Sequence, residues 1–255
     1  MCQLLGMNCN VPTDIVFSFT GFQQRGGGTD EHGDGWGIAF YEGKGCRLFL
    51  DPNPAARSPV AEFVRGYPIR SLNVVAHIRK ATRGPIGLDN THPFQRELWG
   101  RYWIFAHNGT LENYRPAAGE RYCPVGTTDS ESAFCELLDT LYRRFATKPP
   151  HPDALKAEIA AWAARLSSLG AFNFLLCDGE RLFAHCSTNL FYIERRAPFA
   201  KARLLDAELE VDFSEVTTRD DRVAVIATLP LTDNEQWSTL APRELAVFHQ
   251  GQRVE

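Results

Sequence analysis

The sequence has no excess of positive charge, no long apolar run, no paired cysteines and little methionine. Across 255 residues, 27 Lys and Arg stand against 31 Asp and Glu, a formal charge of −4. Such a balance gives no basic field to attract nucleic acid. No apolar stretch approaches the roughly 18 residues that a membrane span needs. Asn8, Asn10, Pro12 and Asp14 interrupt the first apolar run at once, so it does not read as a signal peptide. Seven cysteines, at 2, 9, 46, 123, 135, 177 and 186, are scattered singly with no CxxC pair. That excludes a recognisable disulfide framework or zinc knuckle, and leaves reduced thiols suited to the cytoplasm, the expected location.

Other weak signals fall away in the same manner. Arg25-Gly26-Gly27-Gly28-Thr29 is glycine-rich, but no P-loop lysine follows in register, so it reads as a loop. His32 and Asp34 lack a third ligand at a recognisable spacing, and a turn is expected there instead of a metal site. Asn108-Gly109-Thr110 matches a glycosylation acceptor, a match without meaning in the cytoplasm. There is no internal repeat, low-complexity tract or composition break, and the chain is expected to form one domain over residues 1–255.

What is present is ordinary globular material, 44% hydrophobic and 23% charged, with ample apolar content for a core. Gln3 to Cys9 reads as a short buried strand. Pro12, Thr13 and Asp14 then supply helix-start chemistry. Ile38–Tyr41, led by a turn over 32–37, and Cys46–Leu50 read as a hairpin, Val60–Arg65 as a helix, and Asn73–Arg79 and Trp103–Ala106 as strands, with loops at 80–85 and 90–94. Thr128 or Asp129 caps a helix whose apolar stripe is Ala133, Leu137, Leu138 and Leu141. A second helix spans Asp153–Ser168, closed by Gly170. Strands follow at 172–177, 182–186, 190–194, 223–228 and 245–248, with Asp178-Gly179 as a hairpin turn. Strands flank helices without βαβ alternation, which predicts α+β layers.

One residue has unusual chemical potential. Cys2 follows the initiator, and cysteine is small enough there for removal of Met1 to be expected. The processed chain would carry a thiol and a free α-amine on the same residue. Such an amine titrates near pH ~8, so it can serve as a base close to neutrality. A nucleophile paired with a base is the basic unit of covalent catalysis. Taken singly, Cys2 reads first as an ordinary small apolar residue opening a strand. Three more polar clusters invite the same double reading. Arg79 suits a rim ion pair or a substrate clamp. Asn108-Gly109 suits a turn, and Asp129 a helix cap.

Their joint order is more specific. Cys2, His77-Ile78-Arg79-Lys80-Ala81-Thr82, Asn90-Thr91-His92-Pro93, His107-Asn108-Gly109 and Thr128-Asp129-Ser130-Glu131 follow one another along the chain. The set resembles the class II glutamine amidotransferase domain, an N-terminal nucleophile hydrolase, in its stand-alone form. The motifs cover residues 2 to about 140. The resemblance implies a four-layer αββα sandwich of two packed antiparallel sheets, and no synthase domain to use the ammonia. It implies that Cys2 attacks the glutamine carboxamide while Asn108 and Gly109 form the oxyanion hole. Arg79 would grip the substrate carboxylate, and Asp129, with Thr82 beside it, the ammonium. Arg83 stands where some members have histidine, and it is given no role. No metal or organic cofactor is implied. The expected partners are glutamine or another γ-glutamyl small molecule and a separate ammonia-accepting protein. The base rate for a chain of this size adds a homodimer. The same clamp would suit γ-glutamyl peptides, or a non-catalytic glutamine-binding subunit.

Overall fold

Several strands are buried on both faces, and this decides the layering. In the computed structural model, which describes residues 2–81, 84–116, 119 and 121–254, the strand β1 (Gln3–Thr13) shows why. Leu4 points into a core between two sheets, whereas Leu5 and Met7 point the other way, toward helices. A period of two can serve two cores only when the strand is sandwiched. Gly6 lies on the inter-sheet side, where a Cβ would come within 2.9 Å of Leu182. A side chain at that position would push the sheets apart.

Next come α1 (Val16–Gln24), β2 (Trp36–Glu42), β3 (Gly45–Asp51), α2 (Pro59–Gly66), β4 (Ser71–Ile78), β5 (Phe94–Leu98), β6 (Arg101–Leu111), α3 (Asp129–Phe145) and α4 (Pro152–Ser167). The remainder is β7 (Gly170–Cys177), β8 (Leu182–Cys186), β9 (Phe191–Arg196), β10 (Lys201–Arg203), β11 (Glu210–Asp212), α5 (Phe213–Val216), β12 (Arg222–Ala227), β13 (Ser238–Thr239), β14 (Glu244–His249) and β15 (Gln252–Val254). Among the described residues the strands form one sheet in the order β13-β9-β12-β1-β4-β2-β3 and another in the order β15-β14-β8-β7-β6-β5. A small β10-β11 pair stands apart.

Three cores separate four layers. Phe19, Phe22, Ala61 and Val64 of α1 and α2 pack on the first sheet. Leu4, Val75, Ile104, Ala106 and Leu175 fill the gap between the sheets. Phe134, Leu138, Ile159 and Trp162 of α3 and α4 cover Trp103 and Phe105 of the second sheet. The architecture is the αββα sandwich of two antiparallel sheets. No helix among the described residues is long and apolar enough to cross a membrane.

Several boundaries differ from expectation for local reasons. β1 runs through Pro12 to Thr13, so α1 starts later, with Asp14 Oδ1 accepting from Val16 N at 3.2 Å. Gly170 opens β7 at φ +152° instead of closing α4. Phe94–Leu98, unforeseen as a strand, pairs with β6. Asn108-Gly109 is no turn, because both residues lie inside β6, paired with Asn173 and Phe172.

Candidate active site

The first sheet contributes the start of β1 and the end of β4, which are antiparallel neighbours with Gln3 opposite Ile78. That register sets Cys2 beside the residues that follow β4. Lys80 N donates to Cys2 Sγ at 3.3 Å, and Sγ lies 3.4 Å from Lys80 O. Burial pushes the Cys2 thiol pKa up, opposed by the lowering effect of the Lys80 backbone bond. The resting group is therefore a thiol that needs a base, not a standing thiolate.

The second sheet supplies Asn108. Its Nδ2 donates to Cys2 O at 2.6 Å, joining the two sheets across the site. Gly109 follows, and only glycine fits there, since a Cβ would lie 1.7 Å from Ala171 O. The direction of the Gly109 N–H follows from alternation. β5 pairs with β6 only as far as Phe105, and among the described residues no strand pairs with the rest of that edge. Leu111 N points off β6 to Asp129 Oδ2 at 2.7 Å, while Glu112 N points back to Leu169 O at 2.8 Å. Amides two residues apart share a side, so Gly109 N–H faces the open edge.

Asp129 is the first residue of α3. Thr128 caps that helix, its Oγ1 accepting from Glu131 N at 3.2 Å. Asp129 uses its two oxygens on Leu111 N and, at 2.9 Å, Ser130 N, so it fastens the helix start to β6. Each oxygen keeps a further lone pair for a cation. His107 strengthens the same junction. Its Nε2 faces Ala171 O at 3.2 Å, an acceptor only, so Nε2 carries the proton and Nδ1 accepts from Ser130 Oγ at 2.8 Å. Burial depresses the His107 pKa and keeps the ring neutral.

Arg79 is 3% exposed, too buried for a rim ion pair. One guanidinium nitrogen donates to Pro85 O at 3.1 Å. Asn90 ties that loop to α3, with Nδ2 on Pro85 O at 3.2 Å and Oδ1 accepting from Thr127 N at 2.8 Å. Asp34 fixes the other flank by accepting from Ala81 N at 2.8 Å, a bond to the segment after β4 and not within its own turn. Among the described residues no group of three His, Cys, Asp or Glu is gathered to hold a metal.

Cys2, Arg79, Asn108, Gly109 and Asp129 line one cavity of about 370 Å³. Thr82, expected beside Asp129, lies outside the described residues, as do Arg83 and Met1. Sequence reasoning missed the backbone of Lys80, the bracing by Asn90 and His107, and the contribution of Thr228. The motifs contain the first three without stating what they touch.

Residues 1–255 match the family model for class II glutamine amidotransferases. The chain belongs to that family. It is 57% identical over the full length of both chains to an Escherichia coli K12 protein provisionally named glutamine amidotransferase YafJ. A crystal structure titled as a predicted glutamine amidotransferase from Pseudomonas aeruginosa superposes with a TM-score of 0.80 at 47% identity, all of both chains covered. A more distant relative is the γ-glutamyl-hercynylcysteine sulfoxide hydrolase of Mycobacterium tuberculosis H37Rv, 30% identical over 64% of this chain and 63% of its own. In this amidotransferase the nucleophile candidate comes from one sheet and the oxyanion candidates from the other.

Proposed function

We propose that the protein hydrolyses the side-chain amide of glutamine through a γ-glutamyl thioester on Cys2, releasing ammonia. The observation that carries the reading is the convergence of Cys2, Asn108, Gly109, Arg79 and Asp129 on one cavity from both sheets and α3. Removal of Met1 frees the amine of residue 2, which takes the thiol proton as sulfur attacks the carboxamide carbon. Negative charge then develops on the carbonyl oxygen, which Asn108 Nδ2 and Gly109 N–H receive. Donors already fixed in place cost no reorganisation when the charge appears. Collapse breaks the C–N bond, and the proton held on the amine leaves with ammonia. Water, activated by the same amine, then cleaves the thioester to glutamate. Arg79 takes the α-carboxylate and Asp129 the α-ammonium, so a free glutamyl head is selected.

The same head would be held if the leaving amine were larger, and the γ-glutamyl substrate named for the mycobacterial relative favours this as the second reading. Ammonia or amine release should be measured for glutamine and for γ-glutamyl peptides, on protein whose intact mass shows loss of Met1. Turnover of peptides with glutamine inert would select the second reading. Cys2→Ala is expected to lower turnover by about 10⁴-fold or more, because the nucleophile works as a unit with its base. A 6-diazo-5-oxonorleucine adduct should form on Cys2. A processed, folded protein that stays unlabelled and inactive would instead be a glutamine-binding subunit. In the amidotransferase case, the ammonia would pass to a separate acceptor protein.

A further inference from the structure

The carboxamide of Asn108 is held from one end only. Its Oδ1 is buried without a hydrogen-bond partner among the described residues, so its orientation depends on what Nδ2 meets. One N–H is taken by Cys2 O at 2.6 Å, and the other is directed at Thr228 Oγ1 at 3.4 Å. Thr228 follows β12, and its hydroxyl also accepts from Leu4 N at 2.9 Å, while its own N–H donates to Leu4 O at 3.1 Å. One hydroxyl therefore contacts both the strand that carries Cys2 and the amide facing it.

The placement of Thr228 is itself braced. Arg25, 5% exposed, donates to Leu229 O at 3.1 Å and Pro230 O at 2.6 Å, and its Nε pairs with Asp206 at 2.8 Å. The two residues after Thr228 are thus fixed by a buried guanidinium.

We propose that Thr228 is a positioning residue: with the Asn108 carboxamide oriented by Cys2 O, the Thr228 hydroxyl holds its second N–H in place, ready for the substrate oxyanion. The inference rests on the thioester reading. A rotated carboxamide would set Oδ1 against Cys2 O, two acceptors facing each other, and would remove the donor from the reaction. The bond to Cys2 O anchors the group. The long contact to Thr228 is weak enough for a charged oxygen to displace, because hydrogen bonds weaken near this separation and charge-assisted ones are stronger. Thr228 acts through Asn108 and makes no substrate contact in this scheme.

The test compares Thr228→Val, which keeps the shape and removes the hydroxyl, with Thr228→Ser, which keeps the hydroxyl. Thr228→Val is expected to lower kcat by about 10- to 100-fold, as small misplacements of catalytic groups do. KM should stay within about twofold, because an interaction made only in the transition state is lost. Thr228→Ser should recover kcat to within about threefold. Equal kcat in Thr228→Val and the parent would overturn the proposal, as would an equal fall in both variants. A second readout does not need turnover. With ¹⁵N-asparagine labelling, the Asn108 side-chain NH₂ signals should shift in Thr228→Val and return in Thr228→Ser. Signals unmoved in Thr228→Val would also overturn it. A parent protein inert toward every γ-glutamyl amide would defeat the thioester reading, and the NMR result would still decide whether Thr228 holds the Asn108 N–H in place.

Discussion

The two halves of the cavity are built differently. The half assigned to bond breaking comes from strand backbones: Cys2 at the head of β1, Asn108 and Gly109 within β6, and the Thr228 hydroxyl at the end of β12. The half assigned to gripping the substrate comes from the residue after β4, the 84–90 loop and the first residue of α3. Strand positions are fixed by register with neighbours, and a residue cannot move without shifting the pair it belongs to. Loop positions depend on a few side-chain bonds, here those of Asn90 and Asp34. The division suits the chemistry. A developing oxyanion needs donors that do not reorganise, whereas a part of a site that admits and releases a small molecule can be built from loops.

Mutating one residue from each half should therefore give different kinetics. Asn108→Ala is expected to have the larger effect, about 10²–10³ in kcat, or about 3–4 kcal/mol, with KM little changed. Thermal denaturation must accompany it, since the bond to Cys2 O is lost as well. A kcat within tenfold of the parent would remove Asn108 from the oxyanion hole. Arg79→Lys keeps the charge and loses the planar fork. It is expected to cost about 50- to 100-fold in kcat/KM, about 2.5 kcal/mol, carried mainly by KM. If kcat alone fell, the comparison between halves would collapse, because Arg79 would be acting in the transition state.

The sequence made the two halves legible to different extents. Continuous apolar runs at Leu4-Leu5-Gly6-Met7 and Trp103 to Ala106 announced buried strands, and the ordered motifs announced which residues line one cavity. Polar residues hid the continuation of β6. His107, Asn108 and Gly109 interrupt the apolar run, so local propensity reads Asn-Gly as a turn, whereas pairing with Phe172 and Asn173 keeps the chain extended. β5 was hidden likewise, because Gln95, Arg96 and Glu97 carry little strand signal and the strand exists only by pairing with β6. Thr228 lies 120 positions from Asn108, in a segment without a motif. Nothing local in Ala227-Thr228-Leu229 distinguishes a positioning hydroxyl from an ordinary strand end. The family was legible where its residues concentrate in short motifs, whereas a contact that a single side chain makes across the fold was not.

The smallest of these effects concerns the floor shared by both halves. His77 sits on β4 and His92 in the loop after it, their ring centroids 4.3 Å apart, and both are almost wholly buried. Burial, with His107 and Arg79 nearby, lowers the His77 pKa to about 3. Burial and His77 itself press the His92 value well below its usual 6.5. Below pH ~6.5 the unfolded chain takes up protons that these folded rings refuse, so stability is fully present above that value and declines on acidification toward pH 3. For His77 alone the loss between pH 7 and pH 5 is about 2 kcal/mol, with His92 adding in the same direction. Urea denaturation at pH 7, 6 and 5 should show this decline, and His77→Gln should flatten it. Unfolding free energies equal at pH 7 and pH 5 would mean that the rings accept protons in the folded state, and the neutral floor beneath the cavity would be lost from the scheme.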